Sequence, residues 1–198
     1  MIKSSCRYIL FILPVLMNCI CFAQKKGVIH FGDNKTAGKF ADIRGFKMYY
    51  EMYGKGDALL MIHGNGGSIN SFINQIPFFS KSYRVIVADS RAQGKSADDK
   101  DSLSYEMMAD DLNALLDTLH FNNVYVIGWS DGGINGLLLA MRHPDKVKKL
   151  AVTGANLRPD TTAVAPFVYN ITMASYDSLR KLSQTRVVKT LLKLNRIL

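Results

Sequence analysis

Six consecutive residues, Gly128-Trp129-Ser130-Asp131-Gly132-Gly133, carry the most explicit chemistry in this chain. A serine hydroxyl is a weak nucleophile at neutral pH, so it acts only where the backbone exposes it to a base. Here the serine follows the apolar run Val124-Tyr125-Val126-Ile127 and precedes Leu137-Leu138-Leu139-Ala140-Met141. That is a G-x-S-x-G turn between a strand and a helix, the context in which such a serine stands exposed. Gly128 and Gly132 have no side chains, so strand and helix can close tightly around the turn. The helix is expected to begin near Gly133-Ile134. Its N-terminus would aim positive dipole and free N–H groups at the place where an oxyanion forms.

Two further polar loops follow strands. His63-Gly64-Asn65-Gly66-Gly67 comes after Ala58-Leu59-Leu60-Met61-Ile62, and such a loop offers backbone N–H groups to an anion. Asp89-Ser90-Arg91-Ala92-Gln93-Gly94-Lys95-Ser96 comes after Tyr83-Arg84-Val85-Ile86-Val87-Ala88. Three strands that each end in a glycine-bearing loop place those loops at the carboxyl edge of a parallel sheet, where open α/β sheets bind ligands.

The positioning elements follow from periodicity. Lys39–Gly45 and Phe46–Gly54 alternate with period two around a glycine and read as a hairpin. Strands at Leu59, Val85, Val124 and Leu150 then alternate with helices expected over Asn70–Phe79, over Tyr105–Leu119 and after Ser130. This order predicts an α/β fold, a mostly parallel sheet with helices on both faces. Met108, Leu112, Leu115, Leu116 and Leu119 form a helical stripe that reads as core rather than as a cofactor site.

From about Lys39 to about Asn156 these motifs, in this order, resemble the α/β-hydrolase family, and the Gly-Trp-Ser-Asp-Gly-Gly turn resembles its esterase and biphenyl-hydrolase-like members. The resemblance implies Ser130 as nucleophile, with the backbone N–H groups of Asn65 and Asp131 as the oxyanion hole. It implies that His63 shapes its loop rather than acting as a base. Asp131 has two readings: a carboxylate stabilising a helix N-terminus, or one that meets a substrate ammonium. Trp129 reads as packing beside the turn. The sequence departs from the family at Ala92, where glycine is usual.

The family's triad runs Ser, then acid, then His. Of the four histidines only His143 follows Ser130, and it lies at the far end of the helix behind the serine. His30 falls before the sheet and His120 at a helix end, so the base is unassigned. Asp160 is the candidate acid, at a variant position, against the reading of a solvated loop carboxylate beside Pro159. The sequence therefore reads as the N-terminal part of a hydrolase, expected to stop before the family's acid, histidine and last strands.

Residues 1–23 read as a signal peptide: Lys3 and Arg7, then the mostly apolar Tyr8–Phe22, then Ala23. That run is short for a membrane span. A lipid anchor at Cys19 is the alternative. Cys6, Cys19 and Cys21 all lie in this leader, which suits an exported, periplasmic or secreted chain without disulfides or a zinc–thiolate site. Residues 24–156 are then the first part of the hydrolase core, and 157–198 the start of a helical cap. The charge of +9 is spread along the chain without an aromatic–basic platform, so nucleic acid is not an expected partner. The expected activity is hydrolysis of small carboxylic esters or related acyl compounds, with no cofactor and no metal. A non-catalytic fragment is the alternative. An unpaired edge at the Leu150 strand is expected to promote self-association.

Overall fold

The computed structural model describes residues 29–98 and 103–156 and positions 158, 165–167, 170 and 174. The expected leader, Asp160 and most of the expected cap lie outside the described residues.

Strand β1 (Gly38–Ile43) pairs antiparallel with β2 (Phe46–Tyr53), with Ile43 opposite Phe46. The two residues between them, Arg44 and Gly45, have φ of 44° and 91°. A two-residue turn with both φ positive matches the right-handed twist of the strands it joins. Next come β3 (Ala58–Ile62), β4 (Arg84–Ala88), β5 (Val124–Trp129) and β6 (Val147–Thr153). The sheet order is β1-β2-β4-β3-β5-β6, with β4, β3, β5 and β6 mutually parallel and β2 antiparallel to β4. This is the α/β, mostly parallel architecture that the sequence predicts.

Burial on both faces explains why the central strands are almost wholly apolar. Leu60, Ile62, Ile86 and Val126 point to one face, against Ala109, Leu112 and Leu116 of α2 (Tyr105–Thr118) and Leu139 of α3 (Asp131–Arg142). Leu59, Met61, Val85 and Val87 point to the other, against Ile69, Phe72 and Ile76. The chain leaves β3 towards β4 on one side, and returns through α2 to β5 on the other. The carboxyl ends of β3 and β5 therefore flank the point where strand order reverses.

Two boundaries differ from expectation. The helix expected over Asn70–Phe79 is a 3-10 turn, Ile69–Phe72, followed by the short α1, Gln75–Phe79. Pro77 has no N–H to give the carbonyl of Ile73, so an unbroken helix is excluded; in the first turn of α1 the missing donor costs nothing. Helix α3 starts at Asp131 rather than near Gly133-Ile134, because the Ser130 carbonyl already accepts from the amides of Gly133 and Ile134 at 2.8 and 3.2 Å. Strand β6 begins at Val147, directly after a 3-10 turn over Pro144–Lys146. Among the described residues β6 is paired on one side only, and its Ala151, Val152 and Thr153 are exposed. No helix among the described residues is long and apolar enough to cross a membrane.

Candidate active site

Ser130 sits between β5 and α3 with φ 55° and ψ −123°. Positive φ in a residue with a Cβ is a strained conformation that persists only when its surroundings impose it. The two glycines impose it here. A Cβ on Gly128 would lie 2.3 Å from the carbonyl oxygen of Gly132, and one on Gly132 only 2.1 Å from that of Ile62. Neither position admits any side chain while strand and helix remain packed. The β5–β6 ladder continues into the turn, with the Ser130 amide donating to the Thr153 carbonyl at 2.8 Å.

The register that sets Ile62 beside Gly128 brings Gly64 alongside Ser130. A Cβ on Gly64 would stand 3.1 Å from the Ser130 Cβ, so the glycine loop and the half-buried serine are in direct apposition. Gly66 turns this loop with φ 66°. Asn65 follows Gly64, and Asp131 is the first residue of α3, where amides have no intrahelical acceptor. Among the described residues nothing accepts from the amide of either. The structure thus brings together Ser130 and the two predicted N–H donors at the carboxyl edge of the sheet.

His63 is buried, and both ring nitrogens are engaged. Nε2 accepts the Ser90 amide at 3.0 Å, so the proton sits on Nδ1, which donates to the Gly64 carbonyl at 2.8 Å. Burial also holds its pKa below the ordinary histidine value. It is a neutral tie between the two loops, in keeping with the loop-shaping role expected of it.

The Asp89–Ser96 loop is a second scaffold. Asp89 Oδ1 accepts the Ile69 amide at 2.8 Å and Oδ2 the Lys95 amide at 2.7 Å. Ser96 Oγ donates to the Asp89 carbonyl at 2.7 Å and accepts the Tyr49 amide at 2.8 Å. Arg91, only 2 % exposed, reaches Asp111 at 2.6 and 2.8 Å and Asp98 at 2.8 Å. Ala92 has φ 59°, the left-handed region in which glycine is at home, so the departure from the family keeps the loop path at a cost of about 1 kcal/mol in strain.

A cleft of about 280 Å³ opens beside the serine, lined by Asn65, Leu103, Ser104, Tyr105, Met108 and Asp131. The Tyr105 phenol is pushed up to about 12, by burial first and then by the negative charge of the nearby Asp131 carboxylate. Tyr105 is missing from the sequence-based site because a tyrosine opening an amphipathic helix carries no motif. Trp129 lies beside the turn, its ring 3.5 Å from where a Cβ on Gly64 would stand, and is 49 % exposed.

The other histidines stand elsewhere. His143 is the C-cap of α3, so twelve residues of helix place it roughly 18 Å from Ser130. Its Nε2 meets Asp110 at 2.9 Å, and Asp110 is held down to about 2, chiefly by its hydrogen bonds with Arg142. His120 follows the end of α2, and His30 lies before β1.

Comparison with known proteins agrees with this geometry. The family described as alpha/beta hydrolase fold matches residues 57–180. The chain belongs to that family. It is similar to the mouse (Mus musculus) serine hydrolase BPHL, 32 % identical over 161 residues that cover 78 % of this chain and 55 % of that protein. Among solved structures it resembles the enol-lactonase from Burkholderia xenovorans LB400, with TM-score 0.59 and 27 % identity over 61 % of this chain and 48 % of the other. It also resembles the epoxide hydrolase CorEH, with TM-score 0.57 and 30 % identity over 58 % and 41 %. The chain spans about half the length of the curated relatives it matches.

Proposed function

We propose that Ser130 is the nucleophile of a hydrolase for small carboxylic esters or related acyl compounds. The observation that carries this reading is the strained Ser130 turn apposed to the Gly64–Gly67 loop, with no acceptor on the amides of Asn65 and Asp131 among the described residues. The hydroxyl adds to the substrate carbonyl, the two amides hold the oxyanion, and the alcohol leaves to give an acyl-serine that water cleaves. Serine at this position favours acyl chemistry over epoxide opening, for which members of the family usually place aspartate there.

A second reading, a non-catalytic acyl-binding chain, is favoured by the histidines: His63 has both nitrogens engaged and His143 is a helix length away. One experiment separates the two. Loss of the base removes most triad catalysis but leaves the contribution of an oxyanion hole. The 198-residue chain should therefore acquire one acyl group on Ser130 from excess p-nitrophenyl acetate, read by peptide mass, without sustained turnover. Labelling that is unchanged in Ser130→Ala overturns the nucleophile assignment. Serine-dependent steady turnover would show that a base acts at the site.

Export and self-association belong to the same proposal. Export is supported by Lys3 and Arg7 before the apolar Tyr8–Phe22, and a mature N-terminus at Gln24 by sequencing is the check. Self-association is supported by the one-sided pairing of β6 among the described residues, and light scattering that finds only monomer would refute it.

A further inference from the structure

The cleft poses an electrostatic problem at its centre. Asp131 supplies one of the two amides proposed to hold the oxyanion, yet its own side chain is a carboxylate on the same residue. An anion bound at that amide would meet a like charge on the same residue, and the two would repel. A neighbouring donor that turns the charge aside would relieve this repulsion.

The residues facing Asp131 across the cleft narrow the choice. Ser104 is occupied, since its Oγ accepts the Met107 amide at 3.1 Å as the N-cap of α2. Met108 is apolar and buried, in contact with the Asn135 amide on the next turn of α3, at 3.7 Å from sulfur to nitrogen. Asn65 belongs to the oxyanion loop itself. Leu103 offers nothing polar. Tyr105 is the one hydroxyl in the lining without another partner among the described residues, and it begins α2 opposite the beginning of α3.

We propose that Tyr105 is a positioning residue: its hydroxyl donates to the Asp131 carboxylate across the cleft and holds that charge away from the anion site on the Asn65 and Asp131 amides. The inference rests on the reading of these amides as an oxyanion hole. It makes Tyr105 act only through Asp131, which gives it a signature that a merely structural tyrosine lacks. Removing the hydroxyl frees the carboxylate to approach the anion; removing the carboxylate's charge makes the hydroxyl irrelevant. The elevated phenol of Tyr105 is what a donor facing a carboxylate should display.

The test uses the 198-residue chain with 15N labelling and sodium acetate as the anion, followed at the Asn65 and Asp131 amides. Y105F should weaken acetate binding about three- to tenfold, D131N should strengthen it, and Y105F/D131N should match D131N. In parallel, 13C-labelled tyrosine should show the Tyr105 phenol ionising at lower pH in D131N than in the wild type. Y105F that binds acetate like the wild type, or that weakens it equally with and without the Asp131 charge, overturns the proposal, as does a Tyr105 titration unmoved by D131N. Absence of acetate shifts at both amides in every variant, with the Tyr105 titration still moved by D131N, would instead overturn the oxyanion-hole reading on which the inference rests.

Discussion

Replacing Arg91 with methionine is expected to destabilise the fold by about 3–5 kcal/mol, the range for removing one partner of a buried ion pair. The guanidinium bridges Asp111 and Asp98, whose side chains are 1 % and 2 % exposed, and lies 4.0 Å over the Phe46 ring. Without it, two carboxylates remain buried. Arg44 Nη1, 3.2 Å from Asp111, relieves only part of this because its side chain is 43 % exposed. Against a total stability of about 5–15 kcal/mol, the loss leaves a marginal domain. The effect reaches the site, since Ser90, next to Arg91, donates to His63, and His63 holds the Gly64 carbonyl beside Ser130. Arg91→Lys keeps the charge but not the fork of donors and should lose less. Urea unfolding of the three proteins is the measurement, and a loss below about 1 kcal/mol for the methionine variant would contradict the reading.

What was legible in the sequence, and what was not, separates by the range of the interactions involved. The Ser130 turn, the Gly64 loop and the alternation of strands were readable because each is a local constraint: glycines at fixed offsets, apolar runs of strand length, polar loops at strand ends. The mostly parallel sheet followed, since no other layer arrangement buries such strands on both faces. The break at Pro77 was also local and was there to be read, because a proline at that point forbids the helix expected over Asn70–Phe79. Contacts between distant segments left no such trace. Nothing near Arg91 in the chain points to Asp111 twenty residues on, and nothing near Tyr105 points to Asp131. One non-local feature did carry a signal that went unread: Tyr49, Glu51 and Tyr53 follow one another on one face of β2, an acid between two tyrosines.

Glu51→Gln is expected to destabilise the fold by about 2–4 kcal/mol, because it leaves buried donors without the charged acceptor they share. Glu51 is fully buried, and its two oxygens take four donors. Oε1 accepts the Tyr49 hydroxyl at 2.7 Å and the Asn34 amide at 3.0 Å; Oε2 accepts the Tyr53 hydroxyl at 2.6 Å and the Gly32 amide at 2.9 Å. Glutamine can accept at only one of these places and presents two N–H donors at the other. The segment before β1 is tied to the sheet through this carboxylate, so its loss should also loosen residues 30–36 in hydrogen exchange. A pH signature accompanies the stability change. Burial first, and Glu51 second, raise the phenols of Tyr49 and Tyr53 above their usual value. The folded state therefore holds these two protons more tightly than the unfolded chain does. The stability they contribute is complete below about pH 10, the unfolded tyrosine value, and is lost progressively as pH rises beyond it. In Glu51→Gln the part of the elevation due to the carboxylate is gone, so the Tyr49 and Tyr53 phenols should ionise at lower pH in the folded variant than in the folded wild type. Urea midpoints at pH 7 give the stability change, and 13C-labelled tyrosine followed against pH gives the comparison of the phenols. Phenols that titrate alike in both proteins would mean that the two hydroxyls do not depend on Glu51, and that the four-donor arrangement is not what anchors the N-terminal segment to β2.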